Sequence, residues 1–117
     1  MLDREFFLGF VKIHILYHAS KEPIFGIGIS RELAHHGYSL SPGVLYPTLR
    51  RLEADGYLEQ SMKVVDGKKR KYYTTTEQGN EVLREASAKI GSLVAEVLEE
   101  NGGSALSRKQ SRRKLTE

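Results

Sequence analysis

The chain has 117 residues, 39% of them hydrophobic and 28% charged, with a formal net charge of +3 and no cysteine. That composition belongs to one ordinary globular domain with a modest core. The missing cysteine excludes disulfides, thiol catalysis and Cys-ligated zinc together, and every apolar run is broken by charge, Gly or Pro short of a membrane-spanning length.

The opening Met1-Leu2-Asp3-Arg4-Glu5 is acidic and lacks the basic start of a signal peptide, so the expectation is a cytoplasmic protein with no membrane partner. Residues 4–20 contain no Pro and only Gly9, and they read as a helix with two apolar stripes. Phe6, Phe10, Ile13 and Tyr17 follow one side, and Leu8, Val11 and Ile15 another. A helix apolar around so much of its circumference is buried on more than one side, and in so short a chain part of that burial falls to a second subunit. The β-branched Ile13 and Ile15 keep a strand alternative open, although the length favours helix. Pro23 ends the segment. A shorter helix follows over about 27–36, with Ile29 and Leu33 inward, Gly26 and Gly28 blurring its start, and Gly37 at the stop.

The third helix has the clearest start. Ser41 is a good N-cap residue, and Pro42 suits the first helical position, where a missing N–H costs nothing. Leu45, Leu49 and Leu52 form its inward stripe, and Gly56 closes it. Pro47 interrupts the pattern: an interior proline costs about 3 kcal/mol by losing a bond and crowding the carbonyl four residues back. That residue is Gly43, the most adaptable backbone available, so the expectation is a kinked or loosened first turn rather than a break.

Residues 57–65 alternate in part, Leu58, Met62 and Val64 one way and Glu59, Ser61 and Lys63 the other. Asp66-Gly67 is a turn dipeptide, and Arg70 to Thr75 is the returning strand, rich in β-formers. Alternation sends Tyr72 and Tyr73 to opposite faces, one of them to the core, and leaves open which. Thr76 then caps a long last helix, with Glu77 and Glu81 near its positive end. Leu83, Ala86, Ile90, Leu93 and Val97 step 3-4-3-4 like a heptad seam, widened by Val82, Val94 and Leu98. The helix ends near Asn101-Gly102-Gly103. Residues 104–117 have no apolar period and are expected to be disordered unless bound.

The fold class is therefore mainly α with a small β-hairpin wing: a winged helix-turn-helix followed by a C-terminal dimerisation helix. Residues 1–75 form the DNA-binding domain, whose first helix also enters the dimer interface. Residues 76–101 form the dimerisation helix, and 102–117 a basic tail. Phe6, Phe10, Leu83, Ala86, Ile90, Leu93 and Val97 are the expected dimer contacts.

Charge follows the same division. The tail carries Arg108, Lys109, Arg112, Arg113 and Lys114 against Glu117, a local net of +4 that leaves residues 1–103 at −1. Residues 41–75 sum to +3 and residues 76–101 to −4. A basic middle before an acidic helix points to one face for a polyanion and another for something else. With the three leucines inward, the third helix presents Gly43, Tyr46, Pro47 and Arg50, with Thr48 and Arg51 to one side. Its N-terminal end at Ser41 suits a phosphate oxygen. A major groove about 12 Å wide admits such a helix. Lys68, Lys69, Arg70 and Lys71 repel one another unless a polyanion offsets them, which suits a wing lying on a phosphate backbone with Tyr72 beside it. The same lysines also protect a soluble hairpin edge from pairing.

The stretch Leu40 to Gly56, opening Ser41-Pro42-Gly43-Val44-Leu45-Tyr46-Pro47, resembles the recognition-helix signature of PadR-family transcriptional regulators. Asp66-Gly67-Lys68-Lys69-Arg70-Lys71-Tyr72-Tyr73 followed by Thr76-Glu77-Gln78-Gly79 resembles the same family's wing and helix entry. The chain departs from the family at Gly26-Ile27, where a Gly-Tyr pair is common, and at Thr75, where leucine is frequent. The single short last helix is similar to the smaller subgroup. The resemblance implies a homodimeric repressor of nearby genes that binds double-stranded DNA, uses no cofactor, and is released by a small hydrophobic effector.

Three other readings bear on the same residues. An enzyme would need a nucleophile with a paired base, a phosphate loop or a catalytic carboxylate pair, and the sequence has none. A winged helix can instead serve as a protein-interaction module. His14 and His18, four apart on one helix, also admit a metal-responsive regulator, although the sequence shows no carboxylate cluster beside them.

Overall fold

The computed structural model describes residues 3–101 and divides into two compact units between Leu83 and Arg84, inside the last helix. The expected basic tail at 104–117 lies outside the described residues. The elements are α1 (Arg4–Lys21), α2 (Gly26–His35), α3 (Pro42–Ala54), β1 (Leu58–Val65), β2 (Lys68–Thr75) and α4 (Glu77–Asn101). This is the expected mainly helical fold with a hairpin. Among the described residues no helix is long and apolar enough to cross a membrane.

Each helix begins and ends for a local reason. Asp3 caps α1 by accepting from the Phe6 N–H at 3.1 Å. Both α2 and α3 stop in the same motif, with a glycine of positive φ just past the cap (Gly37 at 86°, Gly56 at 85°). In each, the next N–H reaches back to the third carbonyl from the end, Tyr38 to Leu33 and Tyr57 to Leu52, which satisfies orphan carbonyls and turns the chain sharply. Ser41 holds the N-cap position of α3, but its side chain makes no capping bond. The Ser41 carbonyl instead accepts from both Val44 and Leu45, drawing in the first turn, and α3 runs unbroken through Pro47.

The core of the first unit takes Val11, Ile15, Leu16 and Ala19 from α1, Ile29 and Leu33 from α2, and Leu45, Leu49 and Leu52 from α3. Leu58 and Tyr73 enter from the hairpin. β1 and β2 pair antiparallel from Leu58↔Thr75 to Val65↔Lys68, so β2 starts two residues earlier than its β-formers suggest. Asp66 and Gly67 both have positive φ, as a type I′ turn requires. Met62 and Val64 share the parity of Leu58, yet they are 51% and 70% exposed, because the hairpin outreaches the core. Ile24 adds a third short pairing: its N–H and C=O exchange bonds with Tyr73 at 2.9 and 2.8 Å.

The entry to α4 is the tightest joint. The Thr76 hydroxyl donates to the Gly56 carbonyl at 2.6 Å and accepts from the Gly79 N–H at 3.0 Å. The Thr76 N–H in turn donates to the Tyr57 carbonyl at 3.1 Å. A Cβ on Gly79 would run into that same Tyr57 carbonyl. Within the first unit, Val82 and Leu83 pack against the core. In the second unit, α4 exposes Ile90, Leu93, Val94, Val97 and Leu98.

Gly79→Ala is expected to destabilise the chain by at least the ~1–3 kcal/mol typical of overpacking, because the obstacle is backbone. Gly91, whose Cβ would meet nothing within 4 Å, provides the control: Gly91→Ala is expected to gain about 0.5–1 kcal/mol of helix propensity. Denaturant midpoints of the two variants check this, and equal midpoints would refute the assignment of Gly79 as a packing constraint.

Candidate nucleic-acid interface

The outward side of α3 and the adjoining strand β2 enclose an open groove of about 300 Å³, lined by Phe25, Gly26, Ile27, Tyr46, Arg50, Lys69, Arg70, Lys71 and Tyr73. Strand alternation accounts for Lys69, Lys71 and Tyr73, while Arg70, of the opposite parity, borders the groove together with the Phe25 ring on which it stacks. Tyr73 is buried, and Lys69 and Lys71 share its parity on β2 and border the groove with it. Tyr72 therefore faces the other way, half-buried, with its ring 5.5 Å from Phe25 and the Lys63 ammonium 5.2 Å above it. Burial pushes the Tyr73 phenol above its ordinary range, Glu53 adds to this, and the nearby Arg50 guanidinium opposes it. Arg50 thus stands at the base of the wing.

The four consecutive cations are not equivalent. Lys68, Lys69 and Lys71 are exposed, whereas Arg70 is half-buried with its guanidinium 4.4 Å above the Phe25 ring. Arg70 therefore braces the wing as well as charging it. On α3, Arg51 is drawn toward Asp55 at 3.2 Å, while Arg50 forms no ion pair among the described residues. Tyr46 is 39% exposed. Its ring rests over Gly26, where a Cβ would come within 2.5 Å of the phenol oxygen, so the glycine that opens α2 makes room for a side chain of α3. Ser41 and Gly43 are exposed at the start of α3, and a Cβ on Gly43 would meet only the Ser41 hydroxyl, at 3.8 Å. The fold itself does not demand glycine there.

One expectation is corrected. Thr48 is only 6% exposed, and its hydroxyl donates to the Val44 carbonyl at 2.7 Å, so it offers nothing outward in this conformation. Leu83, expected in the dimer seam, is half-buried and packs on the core of the first unit. Ala86 is half-buried, and Ile90, Leu93 and Val97 remain exposed at 41%, 55% and 46%. On α1, Phe6 and Phe10 are exposed at 64% and 45% and line an apolar groove of about 390 Å³ with Gly9 and Ile13. The sequence pattern missed Phe25 altogether, although an aromatic residue just past a Pro-broken helix was the available signal.

Three helices, a capped helix-turn-helix and a cationic antiparallel wing define a winged-helix protein of the transcription-regulator class. Residues 15–85 match the transcriptional regulator PadR-like family, and the chain belongs to that family. It is 46% identical over 95 residues to the Transcriptional regulator Rv3488 of Mycobacterium tuberculosis, covering 81% of this chain and 89% of that protein. Its fold is similar to the crystal structure of a PadR-like transcriptional regulator from Bacillus cereus, with a TM-score of 0.77 and 32% identity over 86% of this chain and 99% of the other. It is also similar to a PadR family transcriptional regulator from Eggerthella lenta, with a TM-score of 0.69 and 37% identity over 83% and 88% of the two chains. Members of this family are transcriptional regulators, not enzymes.

The Phe25–Arg70 stack yields a direct check. A double-mutant cycle with Phe25→Leu and Arg70→Ala is expected to give a coupling energy of about 0.5–1 kcal/mol from denaturant unfolding. A coupling of zero would mean that Arg70 is free for other work and does not brace the wing.

Proposed function

We propose that the chain is a sequence-specific DNA-binding repressor that acts as a homodimer on a dyad operator. The observation that carries the reading is the groove between α3 and β2, where Arg50, Lys69 and Lys71 converge beside an exposed Ser41-Pro42-Gly43 helix start. The helix enters the major groove, with Arg50 at base edges or a phosphate and Tyr46 near a phosphate or a thymine methyl. Gly43 lets the backbone approach closely. Lys68, Lys69 and Lys71 follow the phosphate backbone, and Arg51, Arg70 and Tyr72 flank them. The family supports regulation, and the two cationic elements supply the chemistry for DNA.

The second subunit covers the apolar surfaces that one chain leaves open: Phe6 and Phe10 on α1, and Ile90, Leu93 and Val97 on α4, with Val94 and Leu98 widening the stripe. Residues 76–101 then serve as the dimerisation helix beside a DNA-binding domain at 1–75, and two recognition helices meet two half-sites. The proposed work is cytoplasmic, a reading that the regulatory class and the proposed DNA target support.

The test is binding to the promoter segment beside its own gene, against bulk DNA as competitor, at several salt concentrations. Arg50→Ala is expected to relax preference at one base pair by about 1–3 kcal/mol. Lys68→Ala with Lys69→Ala is expected to weaken binding uniformly and to lower the salt slope by roughly 0.9 for each phosphate that is no longer neutralised. Unchanged affinity in both variants would sink this assignment of the DNA face. Sedimentation equilibrium tests the dimer: Leu93→Asp with Val97→Asp should give folded monomers, and a persistent dimer would place the interface elsewhere.

A further inference from the structure

The groove chemistry leaves a second cluster unused. On α1, His14 and His18 are four residues apart. On α2 and its cap, Glu32 and His36 are four apart as well. The packing of the two helices turns these pairs toward each other. The Glu32 carboxylate lies 3.7 Å from Nε2 of His18 and 3.7 Å from Nε2 of His36. The His14 and His36 rings stand 4.7 Å apart, and one nitrogen from each of His14, His18 and His36 lies within 4.8 Å of the others.

We infer that His14, His18, Glu32 and His36 form a binding site for one divalent transition-metal ion of the zinc class, fastening α1 to the C-terminal end of α2. A tetrahedral ion with bonds of about 2.0–2.1 Å holds its ligand atoms roughly 3.3 Å apart. The two 3.7 Å separations are close to that value already, and side-chain rotations close the wider ones. The donor set also selects the ion. Three imidazoles and one carboxylate suit zinc, copper or nickel, whereas calcium and magnesium require a shell of oxygens.

Access agrees with this. His18 and Glu32 border a cleft of about 150 Å³, and the side chains of His36 and Glu32 are 46% and 43% exposed. The ion can enter from solvent. Tyr38 packs against the edge of His14 at 5.1 Å and fixes its plane. As a bare packing cluster, the arrangement would set three imidazoles together with one carboxylate among them.

The site does not depend on the DNA reading, and its test uses Zn²⁺ alone with the untagged full chain. Calorimetric titration is expected to show one Zn²⁺ per chain. His14→Gln or His36→Gln should each weaken binding by at least the ~10–100-fold typical of losing a mere supporting partner of a metal ligand. His35→Gln, an exposed histidine outside the cluster, should bind as the wild type does. Zn²⁺ should also raise the thermal midpoint of the wild type and not that of His36→Gln. His36 lies on the surface, so that variant decides the matter if His14→Gln fails to fold. No stoichiometric binding by the wild type, or undiminished binding by His36→Gln, overturns the site.

Discussion

The Thr76 hydroxyl ties together the end of α3, the base of the hairpin and the start of α4. It donates to the carbonyl of Gly56, just past the end of α3, and accepts from the N–H of Gly79, in the first turn of the last helix. The Thr76 backbone meanwhile returns to Tyr57, the residue that leads into β1. One residue thus caps α4, anchors the Schellman turn after α3 and closes the base of the hairpin. Such a side chain to backbone bond contributes only about 1 kcal/mol by itself. Its importance lies in geometry, because the angle between α3 and the wing is set at this joint.

From that joint the two cationic elements acquire a fixed relation. Tyr73 anchors β2 in the core and sets the parity by which Lys69 and Lys71 border the groove beside Arg50. Phe25 holds the other face through Tyr72 and Arg70. The charge needed for a polyanion is therefore mounted on a wing gripped from both sides near its base, while its tip reaches beyond the core with Met62 and Val64 exposed. Rigid support matters for the proposed DNA reading, in which contacts to a phosphate backbone position the protein and contacts to base edges specify the sequence.

Much of this was legible in the residues. The leucines at 45, 49 and 52, the turn at Asp66-Gly67, the cap at Thr76 and the order of elements all followed from spacing and local chemistry. The misses have physical causes. The same spacing that buries Leu45 and Leu52 places Thr48 between them, and its polarity argued for the outside until the Val44 carbonyl took its proton. At the start of α4, the heptad pattern did not show that Val82 and Leu83 also pack on the core of the first unit. The partners of His14 and His18 depend on how α1 meets α2. No periodicity within either helix contains that information, although Glu32 and His36 stand at the same spacing. Gly26 reads as a weak helix start, and only the ring of Tyr46 shows why it is glycine.

The link from α1 to α2 has a consequence of its own. Glu22 to Phe25 is four residues long, and within it Ile24 pairs with Tyr73 while the next residue covers Arg70 and Tyr72. At no more than about 3.6 Å of reach per residue, such a connection spans at most roughly 14 Å, and two of its four residues are already held against β2. The base of β2 is therefore tied to the end of α1 as well as to the Thr76 joint. Chain length is fixed at this crossing, whereas the far end of the hairpin is free to grow, shrink or vary. Changes of length are then easiest to absorb at the wing tip and hardest at these four residues, the last of which, Phe25, also lines the groove.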